Sequence, residues 1–410
     1  MRKISSCRNC KNKKLENLFS LGSLSFTGKF TKKKVTNIPK DEIKLIKCKK
    51  CNLVQLSKNF NPSYLYGKDY GYRSGINKTM TEHLSSISKK MTKLANLKKN
   101  DHVLDIASND ATLLNSYKKK DIITVGVDPI LNKYKRFYKN INFKISSLFS
   151  QEIIYKKKIY KKFKIITACA VFYDMHDPNK FLREISNLID PKLGIFYLEF
   201  QDLLSIIKKN LFDTICHEHI EYYSLNVVKR MLKQNNLKLI NVQKNNINGG
   251  SLSLFISHNN GRYNANNSKI NRFIKEENKY NLNDKKTFLK FYKKINQIKK
   301  NLNELILNLL KKGNKIHGYG ASTKGNVLLQ YFELTKKHIP YIADRNPDKS
   351  NLFTPGTKIK IINEKKSRSM APDYYLVLPW HFKKEILIRE KEIRTKGTKF
   401  IFPLPKLKVI

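Results

Sequence analysis

From residue 103 onward, short apolar runs alternate with polar stretches of helical spacing. Val103, Leu104 and Ile106 form a strand-like run ended by small and polar residues, and Ala111, Leu113 and Leu114 then open a helical pattern. The next run, IITVGVD at 122–128, ends in Asp128. Further strands are predicted at 141–147, 163–170 and 194–199, with a helix over 179–188 behind Pro178. An amphipathic helix over 79–98 leads into this series. Such alternation calls for an α/β fold with a mostly parallel, doubly wound sheet. From 247 the character changes to a turn and strand, NINGGSLSLFIS, and then to one long helix or a pair of helices within 264–312. Residues 314–325, NKIHGYGASTKG, repeat the strand, glycine turn and helix, followed by strands ending at Asp344 and Leu378. The pattern divides the chain into an N-terminal module (1–67), a central Rossmann-like domain (68–245) and a second, smaller Rossmann-like domain (246–410).

Asp105 stands at the carboxyl end of the first central strand, where open α/β sheets bind ligands. Ala107 and Ser108 are small enough to admit a ligand to the backbone, and the helix expected next offers free N–H groups. Asp128 suits the paired hydroxyls of a ribose. Together these make a nucleoside half-site, although any βαβ unit has such a turn and many strands end in an acid. In the second unit, Gly318, Gly320 and Gly325 surround Ser322, Thr323 and Lys324, which are suited to phosphate. This unit is read as binding a nucleotide-bearing substrate rather than a second cofactor.

The N-terminal module carries two C-x-x-C pairs, Cys7/Cys10 and Cys48/Cys51. Four thiolates at this spacing fit one tetrahedral zinc with no open position, a structural site. An insertion that includes 20–28 separates the knuckles. Tyr64, Tyr66, Tyr70 and Tyr72 crowd the stretch 61–77 and suit either linker packing or a pocket for a ligand with hydroxyls and flat faces. In FDTICHEHIEYYSL (212–225), His217 and His219 flank Glu218. The spacing is not H-E-x-x-H, so acid–base chemistry is favoured over a catalytic metal.

Charge adds less than its size suggests. The 82 basic residues exceed the 32 acidic ones by 50. Most are lysines, scattered (118–120, 156–158, 311–312) and accompanied by abundant Asn and Ile, as compositional bias would give. A nucleic-acid partner is therefore not expected, since base readers favour clustered arginine. With no apolar run of membrane-spanning length and no secretory h-region, the expected setting is cytoplasmic, with no membrane partner, as a monomer or small homo-oligomer.

The segments YGYRSGIN, VLDIASNDATLL, VFYDMHDP, FDTICHEHIEYYSL, NGGS, GYGASTKGN, ADRNPDKSNLFTPGT and VLPW follow the paired C-x-x-C in order. In this the whole chain resembles the class I S-adenosylmethionine-dependent sugar C-methyltransferases. They join a zinc module, a methyltransferase core and a C-terminal Rossmann-like domain. The resemblance implies methylation of a carbon of a nucleotide-linked keto-deoxysugar through an enolate. It implies His219 as base with Glu218 orienting it, His176 and Tyr72 on the enolate oxygen, and Tyr222 as a further candidate. Asp105 would lie near the methionine end of the cofactor and Asp128 on its ribose, with Tyr70, Ala107, Ser108, Asn109 and Ala170 around them. Two positions depart from the family: Ala111 replaces a usual glycine, and Cys216 replaces a tyrosine three residues before the base. RNA-directed or small-molecule O-methylation are the alternatives, together with a non-catalytic binding protein of the same fold.

Overall fold

The runs of the middle third build one seven-stranded sheet in the computed structural model of the chain, which describes residues 2–32, 37–67, 70–119 and 121–410. Lys68 and Asp69 of the tyrosine-rich stretch and Lys120 of the lysine run lie outside the described residues. The strands lie in the order Leu237–Asn245, Ser251–His258, Ile195–Phe200, Phe163–Cys169, His102–Ile106, Ile123–Val127, Phe143–Ile145. The last five are parallel to one another, while Ser251–His258 runs antiparallel to both its neighbours. Val103, Leu104, Ile165, Ile166 and Leu198 have no exposed surface, as continuous apolar runs in a sheet covered on both faces require. The first strand lies between the second and fourth, so a crevice opens at the carboxyl ends of His102–Ile106 and Phe163–Cys169.

One local outcome differs from the pattern. The helix expected at Ala111 shrinks to one 3-10 turn, Leu114–Ser116. Ala111 is left-handed (φ 58°), its N–H closing a tight turn on the Ser108 carbonyl, so it cannot begin a right-handed helix. The 264–312 region resolves into two helices, Asn267–Lys279 and Lys285–Lys311, the second capped by the Asp284 side chain. The change of character at 247 falls at a hairpin turn. Both its strands belong to the central sheet, and Ile270 of the following helix packs in the same core.

In the N-terminal module, Leu15–Ser25 and Lys40–Cys48 form the long hairpin that occupies the insertion between the knuckles, with Val54–Leu56 beside it. The fourth strand of that sheet, Glu221–Tyr222, comes from the central domain. The C-terminal sheet runs Lys360–Asn363, Tyr341–Asp344, Ile316–Tyr319, Tyr374–Val377, Lys399–Phe402, Lys408–Val409, all parallel except the last. Its helix Lys285–Lys311 lies on the N-terminal hairpin, where Tyr292 stacks on Phe19 at 5.0 Å. Among the described residues no helix is long and apolar enough to cross a membrane.

Candidate active site

The carboxyl ends of the two parallel sheets meet at a cavity of about 550 Å³. Asp105, Asp128, Cys169 and Glu199 line it from the central sheet, and Tyr319, Gly320, Asp344 and Pro379 from the C-terminal one. Tyr70, Tyr72, Ala107, Ser108, Asn109, Ala170, His176, Glu218 and His219 also lie on its wall.

The turn after the first strand is shaped by alternate left-handed residues, Ala107 (φ 59°), Asn109 (φ 51°) and Ala111 (φ 58°). Asp128 holds this turn through both carboxylate oxygens. It accepts the Asn109 N–H at 2.9 Å and the Ile130 N–H at 2.8 Å. The Ser108 hydroxyl is occupied by Tyr138 Oη (2.8 Å), which donates to the Asn109 carbonyl (2.8 Å). Asn109 Oδ1 and Asp110 Oδ2 accept the N–H groups of Ser74 and Gly75, drawing the segment after Tyr72 over the cavity. Asp105 accepts from Thr167 Oγ1 at 2.6 Å, and burial pushes its carboxyl up to about 7. A left-handed alanine is strained by about 1–2 kcal/mol. Ala107→Gly should accordingly raise the unfolding free energy by about 0.5–1 kcal/mol, the usual loss of unfolded-chain restriction included. Ala111→Gly should gain less, because a fully buried methyl worth about 0.8 kcal/mol is lost with it. Denaturant midpoints of the two variants check the contrast.

On the opposite wall, the His219 ring has Nδ1 2.7 Å from the Thr214 carbonyl. With Nδ1–H donated there, Nε2 keeps a bare lone pair. Burial and the nearby Lys324 ammonium hold its conjugate acid down to about 3, so the ring is neutral at pH 7. Tyr173 packs on it at 4.3 Å. The partner that orients His219 is thus Thr214 and not Glu218. Glu218 instead accepts from Thr27 Oγ1 (3.0 Å), and its Oε1 is buried without a partner. A Cβ at Gly28 would come within 2.6 Å of that oxygen, so a side chain there would displace the Glu218 carboxylate. Tyr222 is also reassigned, because its hydroxyl donates to the His219 carbonyl (2.7 Å) and braces the loop from behind. Tyr223 turns inward to Glu221. His217 faces away from the cavity, between Phe26 and Phe60 with Nε2 on the Asp41 carbonyl at 3.3 Å. The two histidines therefore share no metal, and among the described residues only the four N-terminal cysteines form a ligand cluster. Cys216 is fully buried, its thiol pushed well up by burial and the Glu218 carboxylate.

One cavity group, Asp174, was not singled out in the sequence, and it faces Tyr66, one of the four tyrosines read as suiting a pocket; both are buried at the wall and within side-chain hydrogen-bond reach of each other. Burial, with help from Glu218, pushes the Asp174 carboxyl well above the carboxylate range. The tyrosine cluster was a visible signal for Tyr66, whereas Asp174 is one acid among several in VFYDMHDP. On the C-terminal wall, the glycines serve packing. A Cβ at Gly318 would meet Ile342 at 2.7 Å, at Gly320 Pro379 at 2.5 Å, and at Gly325 Leu378 at 2.7 Å. Ser322 Oγ caps the helix at Gly325, and Lys324 Nζ donates to Gln201 Oε1 (2.9 Å) and the Asn248 carbonyl (3.2 Å). Asp344 repeats the role of Asp128, accepting the Ala321 and Asn346 N–H groups at 2.7 Å each.

In the N-terminal module the four Sγ atoms lie within 4.8 Å of one another. Cys7 and Cys51 are 3.5 Å apart, as are Cys10 and Cys48. That spacing is close to the roughly 3.8 Å edge of a tetrahedron with zinc–sulfur bonds of about 2.3 Å, and far from a disulfide. Left-handed Lys11 and Asn52 follow the second cysteine of each pair and return the chain to Cys7 and Cys48. The donors fit zinc.

Comparison with known proteins bears on the whole chain. Family models match in sequence order: a zinc binding domain over 7–66, a methyltransferase domain over 77–242, and a C-methyltransferase C-terminal domain over 246–405. The C-methyltransferase NovU of Streptomyces niveus is 26% identical over 419 residues, covering 100% of this chain and 98% of that protein. Among solved structures, an S-adenosylmethionine-dependent methyltransferase from Clostridium acetobutylicum is 15% identical, with 43% of this chain and 92% of that one covered and a TM-score of 0.35. The plantazolicin methyltransferase BamL, solved with S-adenosylhomocysteine and a triazolic desmethylPZN analog, is 15% identical, with 44% and 86% covered and a TM-score of 0.35.

Proposed function

Because this chain belongs to the S-adenosylmethionine-dependent methyltransferases that join a zinc module to a C-methyltransferase C-terminal domain, we propose that it methylates a carbon of a nucleotide-linked keto-deoxysugar. The supporting observation is the polar wall that faces the cavity beside His219, to which Tyr66, Asp174 and Glu218 contribute. Such a wall suits a ligand that is itself rich in hydroxyls. Lys324, Arg345, Lys349 and Arg389 on the C-terminal wall suit a diphosphate.

S-adenosylmethionine supplies an electrophilic methyl on sulfonium when bound. The chain's own groups prepare the acceptor. His219 Nε2 would take the proton α to the sugar ketone and hold it as the imidazolium, leaving an enolate whose carbon would accept the methyl as the methyl–sulfur bond breaks and S-adenosylhomocysteine leaves. His176 and Tyr72 remain the candidates to donate to the enolate oxygen; both line the cavity. Lys324, which disfavours the free imidazolium, favours the anion that forms beside it.

Asp105 gives a pH-dependent consequence. Its raised carboxyl is largely neutral below pH 7 in the free protein, whereas the ammonium at the methionine end of the cofactor favours the carboxylate. Binding therefore releases a proton there, and affinity for S-adenosylhomocysteine should fall up to tenfold per pH unit as pH drops below about 7. Calorimetric titration in buffers of different ionisation enthalpy checks both the slope and the proton release. Affinity that stays flat between about pH 5.5 and 7.5 removes Asp105 from the cofactor site.

The reaction is tested with zinc-loaded protein, S-adenosylmethionine carrying a ¹³C methyl, and thymidine- or uridine-diphosphate-linked keto-deoxysugars. The expected product has its label on a ring carbon by NMR. Label on oxygen would mean that His219 deprotonates a hydroxyl, the reading that Cys216 in place of tyrosine keeps open. Transfer to RNA and not to any nucleotide sugar overturns the proposal.

A further inference from the structure

The loop that carries His219 is held by the N-terminal module on both sides of that residue. His217 Nε2 donates to the Asp41 carbonyl, and its ring sits between Phe26 and Phe60. Glu218 is held by Thr27. The Ile220 carbonyl accepts the Leu56 N–H at 2.8 Å, and Glu221 and Tyr222 pair with Gln55 and Val54 as an added strand. The His219 side chain, between these anchors, turns to Thr214 and the cavity.

Arg8 is the hub of this grip. It lies between zinc-site Cys7 and Cys10 and is only 3% exposed. Nη1 donates to Gln55 Oε1 (3.1 Å), the Leu56 carbonyl (2.8 Å) and, more weakly, the Ile220 carbonyl (3.4 Å). Nη2 donates to the Lys58 carbonyl (2.8 Å) and Asn59 Oδ1 (2.6 Å), and Nε to Asn59 Oδ1 (3.0 Å). The whole guanidinium fork is thus engaged inside the protein, so it is not a ligand contact. Four thiolates on zinc do not require a buried arginine beside them. The strand pairing that carries the loop does, because the fork ties the knuckle backbone to both strands at once.

We propose that Arg8 is a positioning residue for the methyl transfer: it locks Ile220 to the zinc knuckle and so aims His219 into the cavity. The module is then part of the catalytic apparatus and not an appendage. This rests on the reading of His219 as base.

The test compares Arg8→Met and Arg8→Lys with the wild-type full-length, zinc-loaded protein. Lysine keeps the charge facing Glu221 but cannot reproduce the fork. Zinc content, S-adenosylhomocysteine affinity, hydrogen exchange over 216–223 and steady-state kinetics are read together. Both variants are expected to keep one zinc and wild-type cofactor affinity, to exchange faster at 219–221, and to lose about 10–100-fold in kcat with little change in KM. Unchanged exchange over 216–223 in both variants overturns the clamp. Faster exchange with unchanged kcat leaves Arg8 a structural contact only and overturns its positioning role, while the base assignment is read separately from His219→Gln. If Arg8→Met fails to take up zinc, Asn59→Leu, which removes an acceptor of the fork far from the thiolates in sequence, is read in the same way.

Discussion

His219→Gln lowers kcat by roughly 10²–10⁴-fold, the span of positioned general bases, and leaves S-adenosylhomocysteine binding as it was. Glutamine keeps much of the volume and can still donate to the Thr214 carbonyl, but it offers no proton acceptor comparable to Nε2. The opposite cavity wall, with Asp105, Asn109 and Asp128, is formed by other elements and has its own hydrogen bonds. The clearest readout separates proton removal from methyl transfer. With S-adenosylhomocysteine in place of the methyl donor, the wild-type protein should exchange the α-hydrogen of the keto sugar into D₂O, and the variant should not. A variant within tenfold of wild type that still exchanges would move the base to another group, with Glu218 and Asp174 next in reach of the cavity. The pH profile carries the same signature. The imidazole is held down to about 3 in the free protein, so with cofactor saturating, its protonation imposes no acid limb above about pH 4.

Removing the metal has an effect of comparable size by a different route. Metal binding at a four-thiolate structural site is worth about 10–16 kcal/mol in small zinc domains, and there it is folding free energy. The module's sheet is short, and one of its four strands is borrowed from the central domain. Stripped protein, or Cys48→Ser, should show a new calorimetric transition at lower temperature and lose turnover. The loss of activity follows because Thr27, Arg8 and Leu56 hold the residues around His219. Added Zn²⁺ should restore the melting profile and activity of stripped wild type but not of Cys48→Ser. An unchanged melting profile after verified metal removal would show that the hairpin and its shared cores stand without zinc.

Much of the architecture was legible beforehand. The short apolar runs predicted the parallel strands, because a strand buried on both faces has little room for polar side chains. The two C-x-x-C pairs predicted the thiolate cluster, since the ligand chemistry depends on residue type and local spacing. Asp105 and Asp128, at the carboxyl ends of neighbouring parallel strands, both line the cavity. Residue types in FDTICHEHIEYYSL also pointed to His219, but not to how it is held.

Errors arose where the backbone or a distant contact decided. Three left-handed residues in the turn after Ile106 stopped a helix that apolar spacing favoured. The strand beyond the turn at Gly249–Gly250 pairs with Ile195–Phe200, a partner that the change of composition there does not reveal. Glycines at 318, 320 and 325 also fit against Ile342, Pro379 and Leu378, which are distant in sequence.

What the sequence alone determined is therefore chemical and local: Rossmann-like strand and helix patterning, a four-cysteine zinc-binding module and the residue types that gather at the cavity. What only tertiary structure decided is who holds whom. Thr214 rather than Glu218 orients His219, Tyr222 braces it from behind, and Arg8, 212 residues from Ile220, reaches the carbonyl next to His219. Periodicity encodes which face of an element is buried. Hydrogen-bond partners across such separations depend on how whole sheets meet, and no local pattern carries that information.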